Sequence, residues 1–142
     1  MTVKETKLKG CFIIEPKVFQ DSRGYFFESY NQSSFNKLIG QNINFIQDNE
    51  SFSTKGVLRG LHFQKGEYAQ AKLVRVIKGS VLDIAVDIRK YSPTFGEHVS
   101  LELSEENKKQ FFIPRGFAHG FIVLSDTAIF SYKCDNFYNK DS

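Results

Sequence analysis

The sequence lacks the short local patterns by which many enzymes and membrane proteins are recognised. It has no Gly-rich phosphate loop, no catalytic Ser motif and no closely spaced cysteine pair. The sequence therefore gives no indication of the phosphate-binding, serine-nucleophile or paired-cysteine sites that these motifs form. No apolar run approaches the length of a membrane span. Met1 to Lys9 is polar, and the apolar stretch Cys11–Ile14 is too short for a signal peptide. We therefore predict a cytoplasmic protein with free thiols at Cys11 and Cys134, although two cysteines at strand ends could pair.

A strong excess of charge is also missing. The formal net charge is +3, and Lys and Arg alternate with Asp and Glu along the chain. This distribution argues against a nucleic-acid surface, which would show a basic stripe. A few cations in one cleft would suit a phosphorylated small molecule equally well. With 142 residues, 41% of them apolar and 25% charged, residues 1–142 are predicted to form one soluble globular domain.

Tryptophan is absent, but fifteen Phe and six Tyr are present. Phe in short runs rich in β-branched residues favours an all-β interior. Strands are predicted over Gly10–Glu15, Gly24–Tyr30, Asn44–Ser53, Val57–Gln64, Ala71–Lys78, Ser80–Asp87, Glu97–Leu103, Gln110–Ile113, Ala118–Val123 and Ala128–Lys133. One helix is predicted over Ser33–Gly40, with Ser33 or Ser34 as its N-cap, and a second helical turn over Ser104–Lys108. This pattern predicts a double-sheet sandwich or jelly roll with a cavity between its sheets.

Three cationic or titratable residues occur on adjoining strand-like segments. Arg59 and His62 lie in the run Leu58–Phe63, and the apolar side chains of Leu58, Leu61 and Phe63 are expected to surround and bury them. Lys72 begins the next strand. Burying such groups without partners costs several kcal/mol. One interpretation is an anion-binding Arg beside a general base. The other is a core histidine bonded to backbone, with Arg59 reaching solvent.

His119 and Tyr132 are further candidates. His119 stands between Ala118 and Gly120, where an open backbone suits close approach to a ligand, but a structural turn histidine would look the same. Tyr132 could donate a proton into a cavity, or could be a packed aromatic with its hydroxyl bonded to backbone. We predict no metal site, because Gln64 stands where a second ligand histidine would be needed and Lys72 would repel a cation.

Six motifs in order resemble one enzyme family. They are Asp21-x-Arg23-Gly24-x-Phe26-x-Glu28, Gln47-Asp48-Asn49, Gly56 to Gln64, Gln70-x-Lys72-Leu73-Val74-Arg75-Val76, Ser92-Pro93-Thr94-Phe95-Gly96 and Ile113-Pro114-x-Gly116-Phe117-Ala118-His119-Gly120-Phe121. The chain is similar to the dTDP-4-dehydrorhamnose 3,5-epimerases over its length from about residue 8. The resemblance implies a cupin-type jelly roll, usually a homodimer, that needs no metal or organic cofactor.

The resemblance also implies a reaction and the residues that perform it. The substrate would be dTDP-4-dehydro-6-deoxy-D-glucose, converted to dTDP-4-dehydro-L-rhamnose in dTDP-L-rhamnose biosynthesis. His62 would be the base, Tyr132 the acid, and Lys72 the cation beside the enolate oxygen. The implied substrate-binding residues are Arg23 and Arg59 for the diphosphate, Glu28, Gln47, Asp48 and Asn49 for thymidine and neighbouring groups, His119 for the sugar or phosphate, and Tyr138 for stacking on thymine.

Family members are expected to continue beyond Ser142 with a segment that supplies an Asp to orient the base histidine. An imidazole without that carboxylate is expected to be a weaker catalyst. Asp83, on a neighbouring predicted strand, is a hypothetical substitute for it. Two other functions stay open at this point: a single-carbon epimerase of a related deoxysugar pathway, and a non-catalytic dTDP-sugar-binding protein.

Overall fold

Two antiparallel sheets face each other across a mainly aliphatic and phenylalanine core. The computed structural model describes all residues, 1–142. Its strands are β1 (Thr2–Glu5), β2 (Phe12–Glu15), β3 (Val18–Asp21), β4 (Gly24–Phe27), β5 (Gln47–Thr54), β6 (Leu58–His62), β7 (Lys72–Lys78), β8 (Ser80–Asp87), β9 (His98–Ser104), β10 (Gln110–Ile113), β11 (Phe117–Val123) and β12 (Thr127–Cys134). One helix, α1 (Gln32–Ile39), and a 3₁₀ turn at Gly66–Tyr68 complete the elements.

The strands form three sheets. The six-stranded sheet has the order β1-β2-β10-β7-β12-β5, the four-stranded sheet has the order β6-β11-β8-β9, and β3 and β4 make a separate hairpin. Buried residues of both larger sheets, such as Val74, Phe111 and Phe130 in one and Val81 and Phe121 in the other, share one core cluster. The predicted all-β, cupin-type double-sheet architecture is therefore confirmed.

Side-chain alternation decides what faces the interior. Along β8, alternate residues Val81, Asp83, Ala85 and Asp87 are buried, as expected for a strand with one face on the core. Two of these four are carboxylates with no exposed surface. The core face of this strand therefore carries charge as well as apolar surface.

The helix begins one residue earlier than predicted. Its N-cap is Asn31, whose side-chain oxygen accepts a hydrogen bond from the Ser34 backbone N–H at 3.1 Å. The predicted cap at Ser33 or Ser34 is therefore wrong, because those residues already lie within the first turn. Gly40 ends the helix, as predicted, and the structure shows it in the left-handed conformation at φ 69°.

Three further local features can be compared with the predictions. Strands β1 and β3 were not predicted. A single turn is present at Ser104–Lys108, as predicted; it is closed by a bond from the Lys108 N–H to the Ser104 carbonyl, after which Lys108 turns to φ 54°. Cys11 and Cys134 are both buried and free, so the alternative of a disulfide between them does not occur.

None of the helices combines the length and apolar character that crossing a membrane requires.

The β3–β4 hairpin lies against the outer surface of the six-stranded sheet. Along β7, Val74 and Val76 point into the core, so Arg75 points outward. The Arg75 guanidinium lies 6.0 Å from the Phe27 ring centroid, and the Lys108 ammonium lies 4.0 Å from the Tyr25 ring centroid. The hairpin is therefore held on the sheet face opposite to the core.

Candidate active site

A bulge in β6 turns two side chains to the same side of the sheet. Arg59 and His62 are three residues apart, so a regular strand would point them to opposite faces. On the neighbouring strand β11, Phe121 pairs with Arg59 and His119 pairs with His62, with a shift of register in between. The extra residue on β6 reverses the alternation. As a result, Arg59 and His62 line one cavity.

Glycine is required on both strands at this bulge. A Cβ on Gly120 would lie 2.7 Å from the Arg59 carbonyl oxygen, and a Cβ on Gly60 would lie 2.7 Å from the Gly120 Cα. Gly60 also has φ +107°, which other residues rarely adopt. The two backbones approach more closely than any side chain would allow, and this approach places His62 beside His119.

The cavity lies between the two sheets and has two adjoining parts. The inner part, about 140 Å³, is lined by residues of both sheets, and the outer part has a volume of about 300 Å³. Both parts are lined by Asn49, His62, Lys72 and Tyr132. The inner part adds Glu50, Ser51, Arg59, His119, Gly120, Phe121 and Phe130, and the outer part adds Phe63, Gln64, Gln70, Tyr138 and Ser142.

The apolar neighbours of Arg59 and His62 do not bury them. Leu58 is 64% exposed, Leu61 54% and Phe63 43%. The expectation that these residues box in the two polar side chains is therefore wrong, because the bulged strand β6 is the edge strand of its sheet. Arg59 and His62 reach the cavity from its rim instead.

His62 and Tyr132 have pKa values shifted in opposite directions. Desolvation lowers the pKa of His62, and the nearby Lys72, His119 and Arg59 lower it further. Desolvation raises the pKa of Tyr132, with a smaller opposing effect from a side-chain hydrogen bond with Asn49. At neutral pH, His62 is therefore an unprotonated base and Tyr132 a protonated acid. An acid and a base whose surroundings separate their pKa values are typical of a proton-transfer site.

Lys72 lies next to Tyr132. Its ammonium nitrogen is 5.3 Å from the Tyr132 ring centroid. Burial lowers the pKa of Lys72, and electrostatic interaction with Cys134 and Asp83 opposes this effect. A cation that is largely withdrawn from water acts strongly on charge that develops nearby.

His119, and not His62, has a carboxylate partner. Its Nε2 lies 2.9 and 2.8 Å from the two carboxylate oxygens of Asp83, and both side chains are almost fully buried. Burial raises the pKa of Asp83, whereas His119 and Lys72 lower it. Asp83 is hydrogen-bonded to His119 and makes no hydrogen bond to His62, so the hypothesis that Asp83 orients His62 is wrong. No three His, Cys, Asp or Glu side chains in the chain are grouped as metal ligands.

Arg59 bridges the two sheets at the cavity rim. Its Nε donates to the Ser53 hydroxyl at 2.8 Å, and its Nη2 donates to the Phe52 carbonyl at 3.2 Å. These bonds fix the plane of the guanidinium. The remaining N–H groups are free to bind an anion.

Four of the predicted substrate-binding residues lie outside the cavity lining. Arg23 is bonded to Asp21 on the hairpin, and Glu28 follows that hairpin. Asp48 points to the outer sheet face and pairs with Lys133 at 3.0 Å. Gln47 contacts a lining residue through its bond to Asn49. The structure therefore brings together His62, Lys72, Tyr132, Asn49, Arg59, His119 and Tyr138, but not Arg23, Glu28 or Asp48.

Some lining residues were not predicted at all. Phe121 and Phe130 form the apolar wall of the inner cavity, with ring centroids 4.1 Å apart, and the Phe130 ring also stacks on His119 at 6.0 Å. Gln70 and Ser51 complete the lining. Phe121 and Gln70 belong to the motifs that resemble the epimerase family, and membership of those motifs is the only sequence feature that indicates a role for them.

Comparisons with known proteins agree on one family. A family model described as dTDP-4-dehydrorhamnose 3,5-epimerase matches residues 5–142. The enzyme of that name from Salmonella typhimurium is 59% identical over 142 residues, which are 100% of this chain and 78% of the relative.

Solved structures give the same result. The crystal structure of the enzyme of that name from Elizabethkingia anophelis is 63% identical with a TM-score of 0.95, and the match covers 100% of this chain and 78% of that one. A dTDP-6-deoxy-D-glucose-3,5-epimerase from Legionella pneumophila, solved in complex with dTDP-4-keto-L-rhamnose, is 52% identical with a TM-score of 0.96, over 99% and 74% of the two chains.

Proposed function

The chain belongs to the dTDP-4-dehydrorhamnose 3,5-epimerase family, and we propose that it inverts carbons 3 and 5 of dTDP-4-dehydro-6-deoxy-D-glucose. The product would be dTDP-4-dehydro-L-rhamnose. The observation that carries this proposal is the convergence of His62, Lys72 and Tyr132 on one cavity between the sheets. These three side chains supply a base, a cation and an acid.

The 4-ketone of such a sugar makes the C–H bonds at carbons 3 and 5 acidic. His62, neutral at physiological pH because of its lowered pKa, removes a proton from carbon. The electron pair of the broken bond moves into an enolate whose oxygen is stabilised by the Lys72 ammonium. Tyr132 then donates its phenolic proton to carbon from the opposite ring face, which inverts the centre.

The nucleotide would extend from the sugar toward the cavity rim. Arg59, with its guanidinium held by Ser53 and Phe52, is suited to the diphosphate. Tyr138 lines the outer part of the cavity and is 64% exposed, so its ring is available to stack on thymine. His119, fixed by Asp83, would contact the sugar or the phosphate.

The free thiols of Cys11 and Cys134 agree with the cytoplasm as the proposed location.

The proposed homodimer would explain the positions of Arg23 and Glu28. The hairpin that carries Arg23 lies against the outer face of the six-stranded sheet, whereas the cavity opens on the inner face. Neither residue can reach the cavity of its own chain through the sheet. We infer that they act on the nucleotide bound by a second copy, and that this copy supplies the same residues in return.

Hydrogen exchange in deuterated water tests the proposed reaction. The protein is incubated with dTDP-4-dehydro-6-deoxy-D-glucose in D₂O, and carbons 3 and 5 are followed by NMR. Deuterium at both carbons, together with the L-configured product, is the expected result. Exchange at one carbon alone would indicate a single-carbon epimerase, and binding with no exchange would indicate a dTDP-sugar-binding protein.

A His62→Ala variant provides the control for the base. It should abolish exchange at both carbons and leave dTDP affinity nearly unchanged, because His62 is assigned to the sugar and not to the nucleotide. Persistent exchange in this variant would show that another residue is the base. An Arg59→Ala variant should show the reverse pattern, with weakened dTDP binding as the main effect.

A further inference from the structure

The C-terminal segment is attached to both sheets at the outer part of the cavity. Strands β5 and β6 are edge strands of the two facing sheets, and the bonds from Arg59 of β6 to β5 show that these edges are neighbours. The Tyr138 backbone N–H donates to the side-chain oxygen of Gln47 on β5 at 3.2 Å. The next backbone N–H, that of Asn139, donates to the side-chain oxygen of Gln64, two residues beyond β6, at 2.9 Å. Two consecutive peptide groups thus connect the two edges.

The position of Tyr138 depends on these two bonds. Its side chain is largely exposed while it lines the outer cavity, so packing around the ring contributes little to holding it in place. The segment also lies beyond the last strand, β12, and has no ladder of hydrogen bonds to fix it. A backbone N–H can only donate, so both glutamines must present their oxygens to the segment, whichever way each amide would otherwise be assigned.

Gln64 connects this segment to the strand that carries the proposed base. It follows His62 by two residues, and it lines the outer cavity together with His62 and Tyr138. We propose that Gln64 is a positioning residue, which holds the Tyr138–Asn139 peptide so that the Tyr138 ring is in place to stack on thymine. The inference rests on the proposed function, in which Tyr138 binds the base of the nucleotide, and it adds a residue to which neither the sequence nor that proposal gives a role.

Other bonds keep the start of the segment attached when Gln64 is changed. The Asp135 carboxylate accepts from the Ala71 backbone N–H at 2.7 Å. The Asn136 side-chain NH₂ group donates to the Glu67 carbonyl, also at 2.7 Å. Neither bond involves Gln64, so a substitution there releases one peptide group and leaves the fold and the rest of the segment in place.

A Gln64→Met variant tests the bond, because methionine has a similar size but no oxygen to accept the Asn139 N–H. We expect the dissociation constant for dTDP, measured by calorimetry, to rise about three- to tenfold, the effect of losing one hydrogen bond. KM for the sugar nucleotide should rise by a similar factor, while kcat changes much less. Gln41→Met is the matched control, since Gln41 is exposed and lies far along the chain from the site; it should change neither constant. Unchanged dTDP affinity in Gln64→Met, or a fall in kcat at unchanged KM, would overturn the proposal.

A double-mutant cycle with Tyr138→Ala shows whether Gln64 acts through Tyr138. Removing a ring that stacks on a base costs on the order of tenfold in affinity. If Gln64 only positions that ring, Gln64→Met causes no further loss of dTDP affinity once Tyr138 is replaced. Losses that multiply in the double variant would show that Gln64 binds the nucleotide itself, and the positioning role would be refuted.

The Asn139 amide separates this inference from the proposed reaction. In ¹⁵N-labelled protein, its proton should exchange with solvent faster in Gln64→Met than in the wild type, because the bond that protects it is lost. If the wild-type protein neither binds dTDP nor exchanges substrate hydrogens, the proposed function fails, and the Asn139 amide still reports whether Gln64 holds the segment. If the wild type binds dTDP and the variant changes neither the amide exchange nor the affinity, the inference about Gln64 fails alone.

Discussion

Replacing Gly120 by Ala should reduce activity more than stability. Gly120 stands opposite the bulge of β6, and its added Cβ would lie 2.7 Å from the Arg59 carbonyl oxygen. Ordinary contacts begin at 3.4 Å, a shortfall of 0.7 Å. The obstructing atom belongs to the backbone and cannot rotate away, so β6 itself must move.

The size of both effects follows from this contact. Gly120 does not have a left-handed φ, so the cost of the substitution is steric alone. Crowding of this kind costs about 1–3 kcal/mol of the free energy of unfolding. Arg59 and His62 lie on the strand that must move, and a misplacement of about 1 Å near the reacting atoms costs on the order of a hundredfold in rate. We therefore expect kcat to fall by at least about tenfold, a loss that the change in stability does not explain.

Gly56→Ala is the matched control. Gly56 lies just before the same strand and has φ +82°, but a Cβ there meets nothing within 4 Å. Its substitution introduces backbone strain of about 1–2 kcal/mol without pushing β6 away from β11. Urea unfolding should show similar losses of stability in the two variants, whereas the exchange assay should show a large loss of activity only for Gly120→Ala.

Two results would refute this reasoning. Full activity in Gly120→Ala would mean that β6 can move without displacing Arg59 and His62 from their working positions. An equal loss of activity in both variants would mean that activity follows stability, and that the close approach of Gly60 and Gly120 has no special part in the site.

Three further predictions concern pH and the buried carboxylates. The rate of epimerisation should follow a bell-shaped pH profile. The rate should fall at low pH as His62 is protonated, with a pKa below the ordinary histidine value, and at high pH as Tyr132 is deprotonated, with a pKa above the ordinary tyrosine value. If either limb of the profile had the ordinary pKa, the assignment would be contradicted. Asp83→Leu should lower the free energy of unfolding by about 1–3 kcal/mol, because it leaves the His119 Nε2–H buried without an acceptor, and Asp83→Asn should lose less in the same urea titration. Burial opposes ionisation of Asp87, but hydrogen bonds from its neighbours outweigh burial and lower the pKa of Asp87. The ionised carboxylate therefore stabilises the fold above the unfolded-state pKa, and this stabilisation is lost as the pH falls through the folded-state pKa. Asp87→Asn should thus lower the free energy of unfolding at neutral pH and flatten the acid limb of the curve of stability against pH.

The strand predictions succeeded where turn residues bound a clear run, as at Gln110–Ile113 and Ser80–Asp87, whose ends the structure reproduces. They failed where the strand carries little apolar surface to bury. All four residues of β3 are exposed, and only one of the four in β1 is even partly buried. Pairing of such strands depends on the partner strand and not on their own periodicity.

The site could be predicted only in part, because its geometry depends on contacts that spacing does not encode. Alternation alone would separate Arg59 from His62, and only the bulge at Gly60 and Gly120 places them on one side. The burial of Asp83 beneath His119 likewise contradicts the usual rule for charged residues. The sequence suggested Asp83 as a partner of His62, whereas the structure pairs it with His119. The pairing of β8 with β11, which brings Asp83 and His119 together, cannot be predicted from their separation in sequence.

The same cavity shifts the pKa values of the two proposed proton-transfer groups, His62 and Tyr132, in opposite directions. Desolvation disfavours the charged form of any group, so it lowers the pKa of His62 and raises that of Tyr132. The proposed base is thereby kept unprotonated and the proposed acid protonated over one range of pH by the same physical effect. Lys72 adds to the effect on His62 and lies beside the Tyr132 ring, where we propose that its charge also stabilises the enolate. The cation proposed to stabilise the intermediate thus also lowers the pKa of the proposed base and helps to keep it free of its proton before the reaction begins.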